Sequence, residues 1–124
     1  MKPYVLLKVG KTDYRLKITT AAAIELEDKL NCSVVDGMNR LNEARVLVKY
    51  IYAAARELND GIASETDAAG ILDEYYMQGN KFDDIFEVVL EVMENSGYIT
   101  QQQVDITKKM NAQLKEKQAQ LLSI

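Results

Sequence analysis

Residues 71–99 read ILDEYYMQGNKFDDIFEVVLEVMENSGYI, and this stretch decides the fold of the chain. Apolar residues recur at helical spacing on both sides of Gly79-Asn80, which predicts two consecutive amphipathic helices that end at Ser96-Gly97. The outward positions of these helices are almost purely acidic. Residues 57–97 contain 11 acidic residues and one basic residue, Lys81, whereas the rest of the chain carries 8 acidic and 14 basic residues. Charge is therefore sorted along the chain, which favours a helical interaction domain.

Length and composition restrict the class of protein. A chain of 124 residues is long enough for one domain with a single core, and 48% hydrophobic residues is an ordinary globular content. Charged residues from Lys8 onward interrupt the first apolar run, so we expect neither a signal peptide nor a membrane partner. The chain has one cysteine, Cys32, and no histidine, so the commonest general base and metal ligand is missing. We expect no enzymatic activity, no catalytic residue, no cofactor and no metal.

Residues 4–18 alternate between apolar and polar side chains and predict a β-hairpin with its turn at Gly10-Lys11-Thr12. An isolated hairpin is marginal in water, so it must pack on helices or pair with another chain. Gly10-Lys11-Thr12 also looks like the end of a phosphate-binding loop. That motif needs a glycine where Val5 stands and a helix after the threonine, so the hairpin turn is favoured.

The helical part begins at Thr19-Thr20, which can cap a helix that ends near Asn31. Residues 32–41 predict an irregular connector with one helical turn near 33–36. A central helix over residues 43–59, capped by Asn42, follows from two apolar rows at helical spacing. Ser64 or Thr66 is expected to cap the next helix, and Lys81 to begin the last strong one. The predicted core consists of Leu47, Tyr50, Ile51, Leu72, Ile85, Phe86 and Val89.

The fold class that follows is α+β, mainly α: an amino-terminal β-hairpin packed on a small bundle of four to five helices, with a carboxyl-terminal helical tail. We predict one globular domain over residues 1–98 and a polar, Gln/Lys-rich helical tail over residues 99–124. The tail carries a thin apolar stripe of Ile106, Met110, Leu114 and Leu121. A helix of this kind buries little surface alone, so we expect it to be ordered only against a partner. Deleting residues 100–124 should then leave the stability of the domain nearly unchanged.

Acidic and aromatic residues of the two helices in the opening stretch are the candidate partner-binding residues. They are Asp73, Glu74, Tyr75, Tyr76, Asp83, Asp84, Glu87 and Glu91. A solvated face is the main alternative for the carboxylates, and their spacing does not fit a calcium loop. For the tyrosines, a core position with the hydroxyl reaching the surface is favoured over a recognition surface.

Two further features have competing interpretations. Cys32 has no histidine base, so a partly buried structural thiol is favoured over a nucleophile or a redox-active thiol of low pKa. Arg45, Lys49 and Arg56 lie near one helical face, with Arg40 preceding them, and this face suits either nucleic acid or an acidic partner. A solvated face or pairing with the acidic helices is the favoured interpretation, and we expect no nucleic-acid partner for this net-negative chain.

Three stretches together resemble the tail assembly chaperones of long-tailed (siphovirus-type) phages and prophages of Gram-positive bacteria. They are the strand-to-helix junction at residues 16–31, the central helix with its exit at residues 58–62, and residues 71–97 with the pattern DEYY…GN…DDIFEVVLEVMENSG. The resemblance covers most of residues 1–98 and lies in the positions of apolar, acidic and glycine residues. The chain departs from the family pattern at Cys32-Ser33-Val34, where an Asn-Pro type turn is expected.

The resemblance implies a non-enzymatic chaperone that binds the tape-measure protein and assists tail-tube protein assembly in the host bacterial cytoplasm, and that is absent from the mature virion. It also implies a short and a frameshifted longer product, with residues 99–124 as the connector to the extension. We further expect a homo-oligomer, since an exposed hairpin edge readily pairs with a second chain. Two alternatives stay open: a protein-binding adaptor or regulatory domain, and a small nucleic-acid-binding phage protein that uses Arg45, Lys49 and Arg56.

Overall fold

Two β-strands and six α-helices follow one another in the computed structural model, which describes residues 2–122. The elements are β1 (Val5–Val9), β2 (Thr12–Leu16), α1 (Thr20–Leu30), α2 (Val34–Gly37), a 3-10 turn (Met38–Arg40), α3 (Ala44–Ala55), α4 (Glu65–Met77), α5 (Phe82–Asn95) and α6 (Gln101–Leu122). The predicted α+β, mainly α fold with an amino-terminal hairpin is confirmed. Within residues 2–122, no helix combines the length and the apolar character that crossing a bilayer requires.

The hairpin pairs β1 and β2 antiparallel, with Val5 opposite Leu16 at its open end. Alternate residues of β1 are buried, in keeping with its period-two pattern. Gly10 adopts a φ of +62° in the turn, and its N–H donates a 2.8 Å hydrogen bond to Gln78 Oε1 just beyond α4. A Cβ atom at Gly10 would lie 2.7 Å from Gln78 Nε2. The backbone conformation therefore favours glycine here, whereas the exposed Gln78 side chain is flexible enough to move away from an added Cβ atom.

Hydrogen bonds attach the hairpin to the helices. The Asn59 side chain accepts a 2.9 Å bond from the Arg15 N–H and donates a 2.7 Å bond to the Arg15 carbonyl, so it occupies one position along the outer edge of β2. After β2, the Ile18 N–H donates to Ser96 Oγ at 3.1 Å and the Ile18 carbonyl accepts from the Tyr98 hydroxyl at 3.2 Å. The hairpin thus obtains from the helices the support that a two-stranded sheet needs.

Helices α1 and α3 show how local side chains set helix ends. Thr19 caps α1 as predicted, because its hydroxyl oxygen accepts a 3.2 Å bond from the Ala22 N–H. Helix α3 differs from the prediction at both ends. Its N-cap is Glu43 rather than Asn42, and it ends at Ala55. Asn59 Nδ2 donates a 2.7 Å bond to the Ala55 carbonyl, which satisfies the end of the helix at that point.

Helices α4 and α5 begin where the sequence predicts. Ser64 is the N-cap of α4, and the Asp67 carboxylate accepts a 3.1 Å bond from the Ser64 N–H, which completes a capping box. Gly79 has a φ of +94° in the connection to α5. Helix α5 starts after Lys81, whose N–H donates a 2.7 Å bond to Asp84 Oδ2.

The hydrophobic core joins the hairpin to α1, α3, α4 and α5. Six predicted core residues are buried: Leu47, Tyr50, Ile51, Leu72, Ile85 and Val89. The prediction is wrong for Phe86, which is only partly buried because α5 turns this side toward an opening beside α6. The tail is also attached more closely than predicted. Val104 in the first turn of α6 is 1% exposed, so α6 begins as part of the packed structure.

Candidate protein-binding groove

An open groove with a volume of about 880 Å³ lies between the connector after α1, the first turns of α5 and one side of α6. We call it the apolar groove. Its apolar lining residues are Val35, Met38, Leu41, Phe82, Phe86, Ile99, Ile106 and Leu114. Its polar lining residues are Asp36, Asn39, Asn42, Lys81, Asp83, Gln103, Thr107 and Asn111. Contiguous apolar side chains rimmed by polar ones are typical of an interaction surface.

An aromatic pair on α5 contributes the largest apolar side chains of the groove. Phe82 and Phe86 lie one helical turn apart, with ring centroids 5.9 Å apart and ring planes inclined at 42°. Both rings are only partly buried against the core. Two such rings offer a wide and conformationally restricted contact area, so this pair is the natural anchor for an apolar side chain from a partner.

The connector residues Val35, Met38 and Leu41 form one wall of the groove, which we call the connector wall. This wall packs directly on the core. Tyr50 is 1% exposed, and its hydroxyl donates a 2.6 Å hydrogen bond to the Val34 carbonyl. The Val34 N–H in turn donates to Glu27 Oε2 at 3.1 Å. A Cβ atom at Gly37 would meet the Tyr50 hydroxyl and lie 2.8 Å from Leu30 Cδ1. Burial raises the pKa of Tyr50 above its ordinary value, which keeps the hydroxyl protonated as the donor.

The α6 wall of the groove is held more lightly. Ile106, Met110 and Leu114 share one side of α6 and are 52%, 58% and 57% exposed. Beyond the buried Val104, a 3.2 Å hydrogen bond from Asn111 Nδ2 to Asp83 Oδ1 ties α6 to α5. The side chain of Leu121, which the sequence predicts to continue the stripe, lies outside the described residues. This wall therefore presents an apolar face that the rest of the chain leaves largely uncovered.

The structure separates the predicted acidic contact residues. Asp83 is the one that lines the groove, and it follows Phe82 on α5. Asp84 has a structural role, since its carboxylate accepts the Lys81 N–H. The others are exposed on α4 and α5: Asp73, Glu74, Glu87 and Glu91. Glu91 borders a second, smaller cavity of about 300 Å³, so the eight predicted residues do not form one patch.

The two predicted contact tyrosines also differ from each other. Tyr75 is 6% exposed and belongs to the core, whereas Tyr76 is 37% exposed, with ring centroids 6.1 Å apart. Burial raises the pKa of Tyr75, and the nearby carboxylates of Asp84 and Glu87 add to that increase. The favoured core interpretation thus holds for Tyr75, and Tyr76 is the one of the two that an external partner can reach.

The basic face that suggested nucleic acid is engaged in ion pairs. The pairs are Arg45–Glu43 at 2.9 Å, Lys49–Glu65 at 3.2 Å and Arg56–Glu25. Glu65 lies in the first turn of α4, so one of these pairs joins α3 to the acidic helices as expected. A phosphate backbone would have to compete with these carboxylates for the same cations.

The remaining candidates for chemistry take structural positions. Gly10-Lys11-Thr12 forms the connection between β1 and β2, so the hairpin-turn interpretation is confirmed. Cys32 is a free, partly buried thiol. Within residues 2–122, no group of three or more Cys, Asp or Glu side chains could hold a metal ion. Among the described residues, the apolar groove therefore remains as the candidate site.

Sequence reasoning does not find this groove, although two signals for it exist. Phe86 shares helical spacing with Ile85 and Val89, so the pattern assigns all three to one core. An aromatic pair at Phe82 and Phe86 widens the apolar stripe of α5 beyond what one contact surface needs. The apolar stripe of α6 is the second signal, since these side chains also need another apolar surface to shield them from water. The connector wall has no periodicity and could not be placed from sequence.

Three comparisons with known proteins gave no match to a family model, a curated protein or a solved structure. The inference of function therefore depends on the geometry of the groove and on the resemblance described above.

Proposed function

We propose that this chain is a non-enzymatic protein-binding module whose apolar groove takes a helical segment of its partner. We propose further that it acts as a phage tail assembly chaperone for the tape-measure protein. The observation that carries the first statement is an open groove with an aromatic pair and apolar side chains on three separate elements. The resemblance over residues 16–97 supports the second.

A helix is the partner shape that this groove suits best. A helix that lays its apolar face into a groove presents side chains at positions i, i+3 or i+4, and i+7. The apolar groove offers a matching arrangement, with Phe82 and Phe86 one turn apart on α5 and Ile106 and Leu114 two turns apart on α6. The chaperone family that this chain resembles acts on long, helix-rich tape-measure proteins, so many such segments would be available.

Charge favours a partner with basic residues beside its apolar face. The charged lining of the groove is Asp36, Lys81 and Asp83, and Glu87 follows Asp83 one helical turn along α5. Residues at this spacing are neighbours on a helix surface. A basic flank on the bound helix would meet this acidic row, and the attraction would be strongest at low ionic strength.

The assignment to tail assembly adds the biological setting to this binding activity. The chaperone would cover apolar segments of the tape-measure protein in the host cytoplasm, assist the addition of tail-tube protein, and leave before the virion is complete. Because the chaperone must later dissociate, it should bind these segments noncovalently, by burying their apolar surface in the groove.

Co-expression with the tape-measure protein tests the proposal. We expect the partner to stay soluble and to be recovered with this chain by pull-down. Leu114→Glu, on the α6 wall, should lower the recovery by about tenfold or more, since it places a charge in the apolar contact. The matched control is Leu58→Glu, because Leu58 is 40% exposed and lies outside the groove lining.

Two results would contradict the proposal in different ways. Equal solubility of the tape-measure protein with and without this chain would reject the chaperone assignment. Full recovery with Leu114→Glu, or equal losses with Leu114→Glu and Leu58→Glu, would reject the groove as the binding site.

A further inference from the structure

The uncovered side of α6 carries three of the exposed large hydrophobic residues that the described structure contains. Ile106, Met110 and Leu114 are each more than half exposed, and they lie on a helix of 22 residues. The groove that two of them line remains open, since α6 forms only one of its walls. An exposed apolar helix face and an open apolar groove are complementary surfaces, so the face of one chain suits the groove of another.

We propose that the apolar groove of one chain takes α6 of a second copy, and that the two copies exchange this contact reciprocally. Each α6 would place its stripe of Ile106, Met110 and Leu114 against the connector wall and the aromatic pair of the other chain. Reciprocal exchange gives a closed two-fold dimer, in which one surface patch meets its own copy. The groove cannot hold α6 of a second copy and a partner helix at the same time, so an external helix would have to displace this contact.

Charge complementarity identifies a second copy as the occupant. Residues 101–122 contain four lysines and two acidic residues, whereas residues 57–97 contain 11 acidic residues and one basic residue. Of these acidic residues Asp83 lines the groove, and the charged side chains of its lining are Asp36, Lys81 and Asp83, with one more negative than positive charge. Two whole chains repel each other weakly, since each has a net charge of −4. The contact between α6, with two more basic than acidic residues, and the net-negative groove lining has the opposite sign.

The spacing of the α6 stripe shows why the groove walls are needed. A two-stranded coiled coil alternates apolar steps of three and four residues. Ile106, Met110 and Leu114 are separated by steps of four and four. Two α6 helices alone would therefore drift out of register, and the walls formed by Val35 and Phe86 must supply the rest of the contact.

The mass of the full chain in solution tests the proposal. Sedimentation equilibrium or light scattering should give twice the 14.0 kDa mass of one chain at micromolar concentrations. Ile106→Glu should raise the dissociation constant by about tenfold or more, because it buries a charge in each of two equivalent contacts. Ile24→Glu is the matched control, since Ile24 lies on α1 outside the groove lining and is 56% exposed against 52% for Ile106.

A variant on the opposite wall separates this contact from simple pairing of α6 helices. Val35 is 41% exposed on the connector wall, so Val35→Glu should weaken the dimer as Ile106→Glu does. Met110→Glu serves as a second stripe variant, and circular dichroism confirms that each variant is folded. The measurements use this chain alone, so their outcome is independent of the tape-measure test.

Three outcomes would overturn the proposal. One is a monomer at all accessible concentrations. Another is a dimer that resists Ile106→Glu and Met110→Glu, which would assign the contact to another surface such as the hairpin edge. The last is a dimer that Ile106→Glu dissociates and Val35→Glu does not, which would mean that α6 pairs with α6 outside the groove.

Discussion

The two walls of the apolar groove differ in how the rest of the chain holds them. The connector wall is continuous with the core, through the 2.6 Å hydrogen bond from Tyr50 to Val34 and the close packing at Gly37. The α6 wall has Val104 as its buried anchor and then exposes Ile106 and Leu114. The position of the connector wall is therefore fixed by the folded core. The position of the α6 wall depends on a helix that is buried in the core only at its first turn.

Because of this difference, we expect residues on the core side of the groove to determine stability and residues on the α6 wall to determine binding affinity. A substitution on the core side of the groove changes the free energy of unfolding, because it removes packed contacts or adds strain. A substitution on the α6 wall should change affinity and leave stability nearly intact, since exposed positions contribute little to folding. The following experiments test where the boundary between these two behaviours lies.

The largest effect on stability is expected inside α5, where Ile85 faces the core and the next residue, Phe86, faces the groove. Ile85 is fully buried, so Ile85→Ala should cost about 2–5 kcal/mol. Phe86 is only partly buried, so Phe86→Ala should cost about 1–2 kcal/mol, less than the 3–5 kcal/mol typical of a buried phenylalanine. Urea denaturation of both variants measures this difference. A larger loss for Phe86→Ala than for Ile85→Ala would place Phe86 in the core after all.

The connector wall is tested by a double-mutant cycle at Gly37 and Tyr50. Gly37→Ala should cost about 1–3 kcal/mol, because its Cβ atom would press on the Tyr50 hydroxyl. Tyr50→Phe should cost about 1–3 kcal/mol by leaving the Val34 carbonyl without its donor. The double variant should cost less than the sum, since phenylalanine lacks the oxygen that the new methyl group meets. Strict additivity in denaturant unfolding would show that this oxygen does not limit the space at Gly37.

Two deletions test the α6 wall with a smaller expected effect. Removing residues 112–124 should change the free energy of unfolding by less than about 0.5 kcal/mol, because the described side chains that it takes away, such as Leu114, are exposed. Removing residues 100–124 also removes Val104 and should cost about 1–2 kcal/mol, in contrast to the sequence-based expectation of almost no change. Equal stability of both truncated chains and the full chain would mean that Val104 contributes nothing to the core.

Periodicity predicts the parts of this molecule that repeat along the chain, and it fails where two separate elements meet. The hairpin, the caps at Thr19 and Ser64, and the start of α5 all follow from residues within a few positions of one another. The groove needs the connector at Val35, the aromatic ring of Phe86 and the stripe at Ile106 to come together. No local pattern fixes the distance between such elements, and tertiary packing decides it. For the same reason the acidic residues could be assigned to the surface but not to a common site.

The smallest expected effect is a dependence on pH at the junction between the connector and α3. Arg40 Nε donates to Glu43 at 2.9 Å, and Arg45 approaches the same carboxylate at 2.9 Å. These hydrogen bonds lower the pKa of Glu43 from 4.5 to about 2. Because the folded chain binds this proton less readily than the unfolded chain, the stabilisation is complete above pH 4.5 and is lost as the pH falls toward 2. Glu43→Gln removes the charge, so its stability should fall less steeply over this range, and the two curves should converge at the acid end. Urea midpoints measured between these limits provide the comparison. Parallel curves for the two proteins would show that the Arg40–Glu43–Arg45 cluster does not help to fix the connector wall.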